Sequence, residues 1–213
     1  EYLEKYKIWL SEMKSLSVRE NTGAKIIKDL TGRNAEVLVD PTLMLSKEKW
    51  LSISKPSSNK PESKYLLTYF LGGISNENMK KILSIAKKNN LEVVNLADIK
   101  NFDAYVADPS EFIDYINSAS VVFTDSFHGS VFSIIMETPF VVFYRLGNTP
   151  SIHSRIDTLL STFKLESRLV KNITSNNQIF DIEFTDIPLI LKKEQKKALD
   201  YLECALKIKN PIK

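Results

Sequence analysis

The chain has 213 residues, 43% of them hydrophobic and 26% charged, with 29 Lys and Arg against 26 Asp and Glu for a formal net charge of +3. Such a composition supports one substantial core or two modest ones, and the charge is too slight to make nucleic acid or an anionic membrane the partner. No run of about 18 apolar residues is present, so no integral membrane segment is expected. The lone cysteine, Cys204, excludes an intramolecular disulfide, fits a reducing compartment and reads as core filler.

The opening Glu1 to Leu10 is charged and amphipathic, without an initiator Met or the apolar core of a signal peptide, and reads as a piece of something longer. Residues 2–13 are predicted helical, Leu16 to Arg19 a short strand, Thr22 to Leu30 a helix, and Ala35 to Val39 a strand ending at Asp40-Pro41. Ser46 to Ile53 reads as a short helix capped by Ser46. Residues 55–63 are polar and carry two prolines, which makes them the linker candidate. The expected division is 1–58, the tail of a first α/β domain, and 62–213, a Rossmann-like second domain.

Beyond the linker, strands at Tyr65 to Phe70, Leu91 to Leu96, Val121 to Thr124 and Phe140 to Phe143 alternate with helices at Asn76 to Lys88, Pro109 to Ala119 and Gly129 to Met136. Helices at Ser154 to Phe163 and Pro188 to Ile208 close the chain, the last packing back on the first domain. This alternation is the pattern of an α/β protein with a parallel sheet. Right-handed crossovers put the C-terminal strand ends on one edge, where open α/β sheets bind ligands. Gly72-Gly73, Ala97-Asp98, Asp125 to Gly129 and Arg145 should converge there.

The stretch Val121 to Ser133 carries the most information, as a strand, a sharp turn and an amphipathic helix. Ser126 or Asp125 can cap that helix, and the free N–H groups of its first turn favour an anion. Gly129 there would let a ligand approach the backbone, and His128 is a proton-transfer group, since an unperturbed imidazole titrates near neutrality. His153, the other histidine, lies in a polar stretch without such context. Arg19, at a strand end, suits bidentate binding of phosphate or carboxylate, or else is a salt-bridged surface residue. Arg145, after the last strand, is a second anion clamp on the same edge, and Arg155 is explained equally well by a solvated helix face. The Asp40 carboxylate either caps a turn or orients a sugar hydroxyl, and Gly72-Gly73 reads as a turn. Phe127, Phe132 and Phe140 read as core or pocket wall. No cluster of His, Asp and Cys has metal-ligand spacing.

Ser17-Val-Arg-Glu-Asn21, Val39-Asp-Pro-Thr-Leu43, Phe123-Thr-Asp-Ser-Phe-His-Gly-Ser-Val-Phe-Ser133 and Thr138-Pro-Phe-Val-Val142, with the helix Pro109 to Asn117 before the site strand, resemble the polysaccharide pyruvyl transferase family in order and spacing. The resemblance covers most of residues 15–170. It implies a GT-B-like architecture of two Rossmann-like domains, part of the N-terminal one missing from this chain. It also implies transfer of the pyruvyl group of phosphoenolpyruvate, as co-substrate and with no cofactor, onto a saccharide as a cyclic ketal. The setting it implies is cell-surface polysaccharide biosynthesis, cytoplasmic or at the inner face of the membrane, with an acceptor that is free or lipid-linked. By position, His128 and Arg19 match the family's catalytic histidine and arginine. Asp125, Ser126, Phe127, Gly129 and Ser130 of the turn are the expected substrate-binding residues, joined by Arg145 from the sheet geometry. The alternatives are a GT-B-like glycosyltransferase with a nucleotide-sugar donor, or a binding fragment of either enzyme without activity.

Overall fold

The computed structural model describes residues 2–99, 105–146 and 150–207. The first segment contains α1 (Leu3–Glu12), β1 (Ser17–Val18), α2 (Asn21–Thr31), β2 (Glu36–Val37) and α3 (Lys47–Leu51). Strands β1 and β2 pair in parallel, Ser17 opposite Glu36 and Val18 opposite Val37. Because the strands run the same way in this register, the residues that follow them emerge on one edge, which brings Arg19 and Asp40 together from 21 positions apart. Between β2 and α3 the chain makes a 3-10 turn, Pro41–Met44, that hydrophobic periodicity does not signal; Asp40 opens it by accepting from the Thr42 N–H at 3.0 Å. Ser46 caps α3, as its sequence suggests.

Four strands, β3 (Tyr65–Tyr69), β4 (Glu92–Asn95), β5 (Val121–Thr124) and β6 (Phe140–Val142), form a parallel sheet of spatial order β4-β3-β5-β6. Around it lie α4 (Asn76–Lys88), α5 (Pro109–Ser118), α6 (Phe127–Met136), α7 (Pro150–Thr162), α8 (Asn176–Phe180) and α9 (Ile187–Leu206). Ile208, the expected end of the last helix, lies outside the described residues. Alternation along the strands splits the core between two faces. Tyr65, Leu67, Val122, Phe140 and Val142 pack with apolar residues of α5, α6 and α7, while Leu66, Val121, Phe123 and Val141 pack with Ile82 and Ala86 of α4 and Ile179 of α8. Burial on both faces explains why the central strands read as nearly continuous apolar runs. The fold is α/β and Rossmann-like, and strand order reverses direction between β3 and β5, which opens a crevice at their C-terminal ends.

Polar contacts fasten the first segment to the sheet domain. The Asn21 N–H donates to Thr158 Oγ1 at 3.2 Å and Ser154 Oγ lies 2.6 Å from Thr22 Oγ1, so α2 sits against α7. Helix α9 returns over the first segment, with Gln195 Nε2 donating to Leu43 O and Lys197 Nζ to Val37 O. Residues 55–63, polar enough to read as a linker, are tied to α5: the Ser57 N–H and Lys60 Nζ both donate to Asp114, at 3.3 and 2.5 Å. Composition registers their polarity but not the partners that satisfy it. Cys204 is exposed rather than core filler, because α9 buries only Ile187 and Ala198 of its length.

A buried arginine closes the far side of the sheet. Arg168 donates to the carbonyls of Phe140, Gln178 and Ile179 at 2.7–2.9 Å, pinning the α8 segment to β6. Burial pulls its pKa down to about 10, with Asp181 opposing the shift.

Candidate functional site

Helix α6 lies inside the molecule, and every residue from Phe127 to Met136 is buried except His128, whose side chain is 51% exposed. The segment is therefore not amphipathic, as its Ser and Gly content suggests. Its small polar side chains are turned onto the backbone instead: Ser130 Oγ donates to Ser126 O at 3.1 Å and Ser133 Oγ to Gly129 O at 2.8 Å. Of the two candidate caps, Ser126 serves, accepting from the Gly129 N–H at 3.3 Å. A Cβ on Gly129 would stand 2.5 Å from Thr124 Oγ1, so the close approach that calls for glycine is the packing of α6 on β5. Thr124 Oγ1 is itself held, donating to Tyr69 O at 2.7 Å and accepting from the Ser126 N–H at 2.9 Å. Ser126, Gly129 and Ser130 thus lie within the packed interior, and they aim His128 outward.

Three ionisable groups meet at that point. The Asp40 side chain is only 3% exposed; its carboxylate accepts from Arg19 Nη1, from the Thr42 N–H and from Thr42 Oγ1, and Oδ1 lies 3.8 Å from His128 Nε2. The last contact is an ion pair only when His128 is protonated. Burial acts to raise the Asp40 pKa, but the two Thr42 donors and Arg19 outweigh it and hold the carboxyl below its ordinary value. Phe127 stands under the group, its ring edge-on to His128 at 5.4 Å and its centroid 5.9 Å from the Arg19 guanidinium carbon. Arg19 remains partly exposed, so a guanidinium and an imidazole face outward from one buried carboxylate. The cap reading of Asp40 holds for its own turn, but it is also the link between Arg19 and His128. In the sequence, the only trace of that link is an Asp after one short strand and an Arg after another.

The remaining candidates gather at the crevice between β3 and β5. Asp125 is fully buried and does not cap α6; Oδ1 accepts from the Leu71 N–H at 2.7 Å and Oδ2 from the Gly72 N–H at 2.8 Å. Arg145 Nε lies 3.4 Å from Asp125 Oδ2 and has no hydrogen-bond partner among the described residues. Its side chain passes over Gly72, where an added Cβ would fall 1.9 Å from Arg145 Cγ. Burial and the Asp125 carboxylate push the Tyr69 phenol up, with Arg145 acting the other way. The Gly72 turn, Asp125 and Arg145 therefore form one cluster, and Arg19, Asp40, Phe127 and His128 another. Among the described residues, no group of three or more His, Cys, Asp or Glu side chains is gathered as a metal ion would require.

A family model described as polysaccharide pyruvyl transferase matches residues 1–147. No curated protein and no solved structure matches the chain.

Proposed function

The chain belongs to the polysaccharide pyruvyl transferase family, and from that premise we propose that it moves the pyruvyl group of phosphoenolpyruvate onto a saccharide as a cyclic ketal. The observation that carries the reading is the convergence of Arg19 and the lone exposed residue of α6, His128, on the buried Asp40 carboxylate. Phosphoenolpyruvate bears a phosphate and a carboxylate, and a partly exposed guanidinium anchored by a buried carboxylate offers fixed donors for either. In the reaction the methylene carbon takes a proton and one sugar hydroxyl bonds to C2 as it loses its own. A second hydroxyl then bonds to C2 as it too gives up its proton, the C2–O bond to phosphate breaks, and the ring closes with phosphate released. Asp40 supplies a counter-charge when His128 carries a proton, so we assign His128 the acid role on the departing phosphate oxygen. General acid catalysis of this kind contributes roughly 10²- to 10⁴-fold. Arg19 holds the anion and Asp40 holds Arg19.

In this reading the sheet domain forms one wall of a GT-B-like cleft, and the acceptor, free or lipid-linked, belongs to cell-surface polysaccharide assembly at the inner face of the membrane. Among the described residues no helix is long and apolar enough to cross a membrane.

The test is thermal unfolding with phosphoenolpyruvate, UDP or GDP, on the parent chain and on His128→Ala and Arg19→Ala, with phosphate release followed in parallel. A ligand bound by the folded state alone raises the melting temperature. Phosphoenolpyruvate should stabilise the parent and fail to stabilise Arg19→Ala, while His128→Ala folds normally and releases no phosphate. Stabilisation by a nucleotide in its place would transfer the case to a glycosyltransferase, and normal phosphate release by His128→Ala would remove that residue from the chemistry.

A further inference from the structure

A cavity of about 450 Å³, within the usual range for small-molecule sites, is lined chiefly by Trp50, Phe112, Phe132, Lys55, Asp108 and Ser110. Its walls are aromatic. Phe132 of α6 meets Trp50 of α3 at 5.0 Å and Phe112 of α5 at 5.8 Å, and both rings stand close to perpendicular to its own. Trp50 and Phe112 are partly exposed, while Lys55 and Asp108 are exposed and give the cavity a polar rim. The Ser110 Oγ, the Glu111 N–H and the Ser110 N–H all donate to Asp108 Oδ1, which leaves Oδ2 without a donor among the described residues. These bonds, with Lys55 nearby, hold the Asp108 carboxyl below its ordinary value. Ser54 Oγ and the Lys55 N–H donate to Ser110 O at 3.2 and 3.3 Å, so the chain after α3 is fastened to the start of α5 at this rim.

Two links tie this cavity to Asp40 and His128. Trp50 Nε1 donates to Thr42 O at 2.9 Å, and the N–H and Oγ1 of that same threonine hold the Asp40 carboxylate. Phe132 stands four residues after His128 in α6, so the two share one helix face and lie about 6 Å apart along its axis. That spacing is comparable to the length of one pyranose unit. A wholly apolar occupant would cover the Asp108 and Lys55 charges without bonding to them, at a cost in desolvation. A pyranose suits both parts of the site, since its C–H face can lie on the aromatic rings while hydroxyls at its edge donate to Asp108 Oδ2 and accept from Lys55 Nζ. We infer that the Trp50–Phe112–Phe132 cavity is a saccharide subsite that holds the sugar next to the one receiving the pyruvyl group. This rests on the pyruvyl transfer reading, in which the reacting sugar lies at His128, and it makes the acceptor an oligosaccharide or a longer chain rather than a single sugar.

The chain has two tryptophans, and Trp9 is exposed on α1, so a Trp9→Phe background makes the fluorescence report Trp50 alone. In that background the emission is titrated with cellobiose, lactose, mannobiose and chitobiose, with the matching methyl monoglycosides, and with geranyl phosphate as an apolar probe. Thermal unfolding with and without phosphoenolpyruvate is measured on the same samples. At least one disaccharide should change the Trp50 emission saturably and bind more tightly than its methyl monoglycoside. Asp108→Ser keeps a cap on α5 but removes Oδ2, and Lys55→Gln removes the ammonium. Each should weaken disaccharide binding about tenfold, the effect of losing a hydrogen bond to a charged group, with the unliganded melting temperature and the stabilisation by phosphoenolpyruvate retained. Emission unmoved by every disaccharide, binding no tighter than that of the monoglycosides, equal affinity in the background chain and both variants, or a response to geranyl phosphate alone would each overturn the subsite. In those cases stabilisation by phosphoenolpyruvate leaves the donor reading intact. If phosphoenolpyruvate stabilises no chain yet disaccharide binding depends on Asp108 and Lys55, the saccharide subsite stands and the donor reading falls.

Discussion

Replacing Gly129 by Ala sets two physical effects against each other, and the structure decides the sign. Position 129 lies inside helix α6, where Ala is better than Gly by about 1 kcal/mol on intrinsic propensity. The new methyl would stand 2.5 Å from Thr124 Oγ1 and 3.2 Å from both Thr124 Cβ and Cγ2. Thr124 cannot simply turn aside, since Oγ1 links Tyr69 O to the Ser126 N–H and the residue is fully buried. Overpacking of a core costs about 1–3 kcal/mol, and each buried backbone group stranded by a rotated threonine costs about 1–3 more. With one backbone group stranded and the propensity gain subtracted, Gly129→Ala should lose about 1–5 kcal/mol.

The assay is urea unfolding followed by circular dichroism, with Thr124→Ala and the double variant completing a thermodynamic cycle. Removing the hydroxyl makes room for the methyl, so the double variant should be destabilised by at least about 1 kcal/mol less than the sum of the singles. Gly129→Ala as stable as the parent, or more so, would refute the packing argument and leave helix propensity as the only term acting there. Unchanged stability with lost phosphoenolpyruvate stabilisation would return Gly129 to the ligand role its sequence context suggests.

Two further outcomes follow from the charged groups. The Asp40 carboxyl is held below its unfolded value, so its contribution is full above the ordinary carboxylate pKa of about 4 and is lost as pH falls through the folded value. Urea midpoints of the parent and Asp40→Asn should therefore differ most near neutral pH and converge on acidification; parallel curves would show that Asp40 ionisation is not linked to folding. Arg168→Met fills much of the same space but strands the carbonyls of Phe140, Gln178 and Ile179, and should cost more than about 2 kcal/mol. Lys should restore little of it, because an ammonium cannot reach three divergent acceptors in one plane. Unchanged unfolding of Arg168→Met would mean that those carbonyls find other donors.

Local chemistry alone determined a great deal of this molecule. The largely apolar runs at 65–69, 121–124 and 140–142 specify buried parallel strands, because a strand covered on both faces has no polar side to show. Ser46 and Ser126 specify helix starts through short-range hydrogen bonds, and the order of short strands and helices specifies an α/β fold with a parallel sheet. Tertiary structure alone decided where the side chains at the C-terminal edge of that sheet point. Asp125 turned to the Gly72 loop instead of its own helix, Gly129 was claimed by Thr124, and α6 was drawn wholly inside with only His128 left out. The meeting of Arg19, Asp40 and His128, and of Glu20 with Arg155, depends on the parallel register of β1 with β2 and on α2 lying against α7. Such contacts join residues 21 to 135 positions apart. Periodicity and capping act over a few residues, so they carry the elements but not the distances between them.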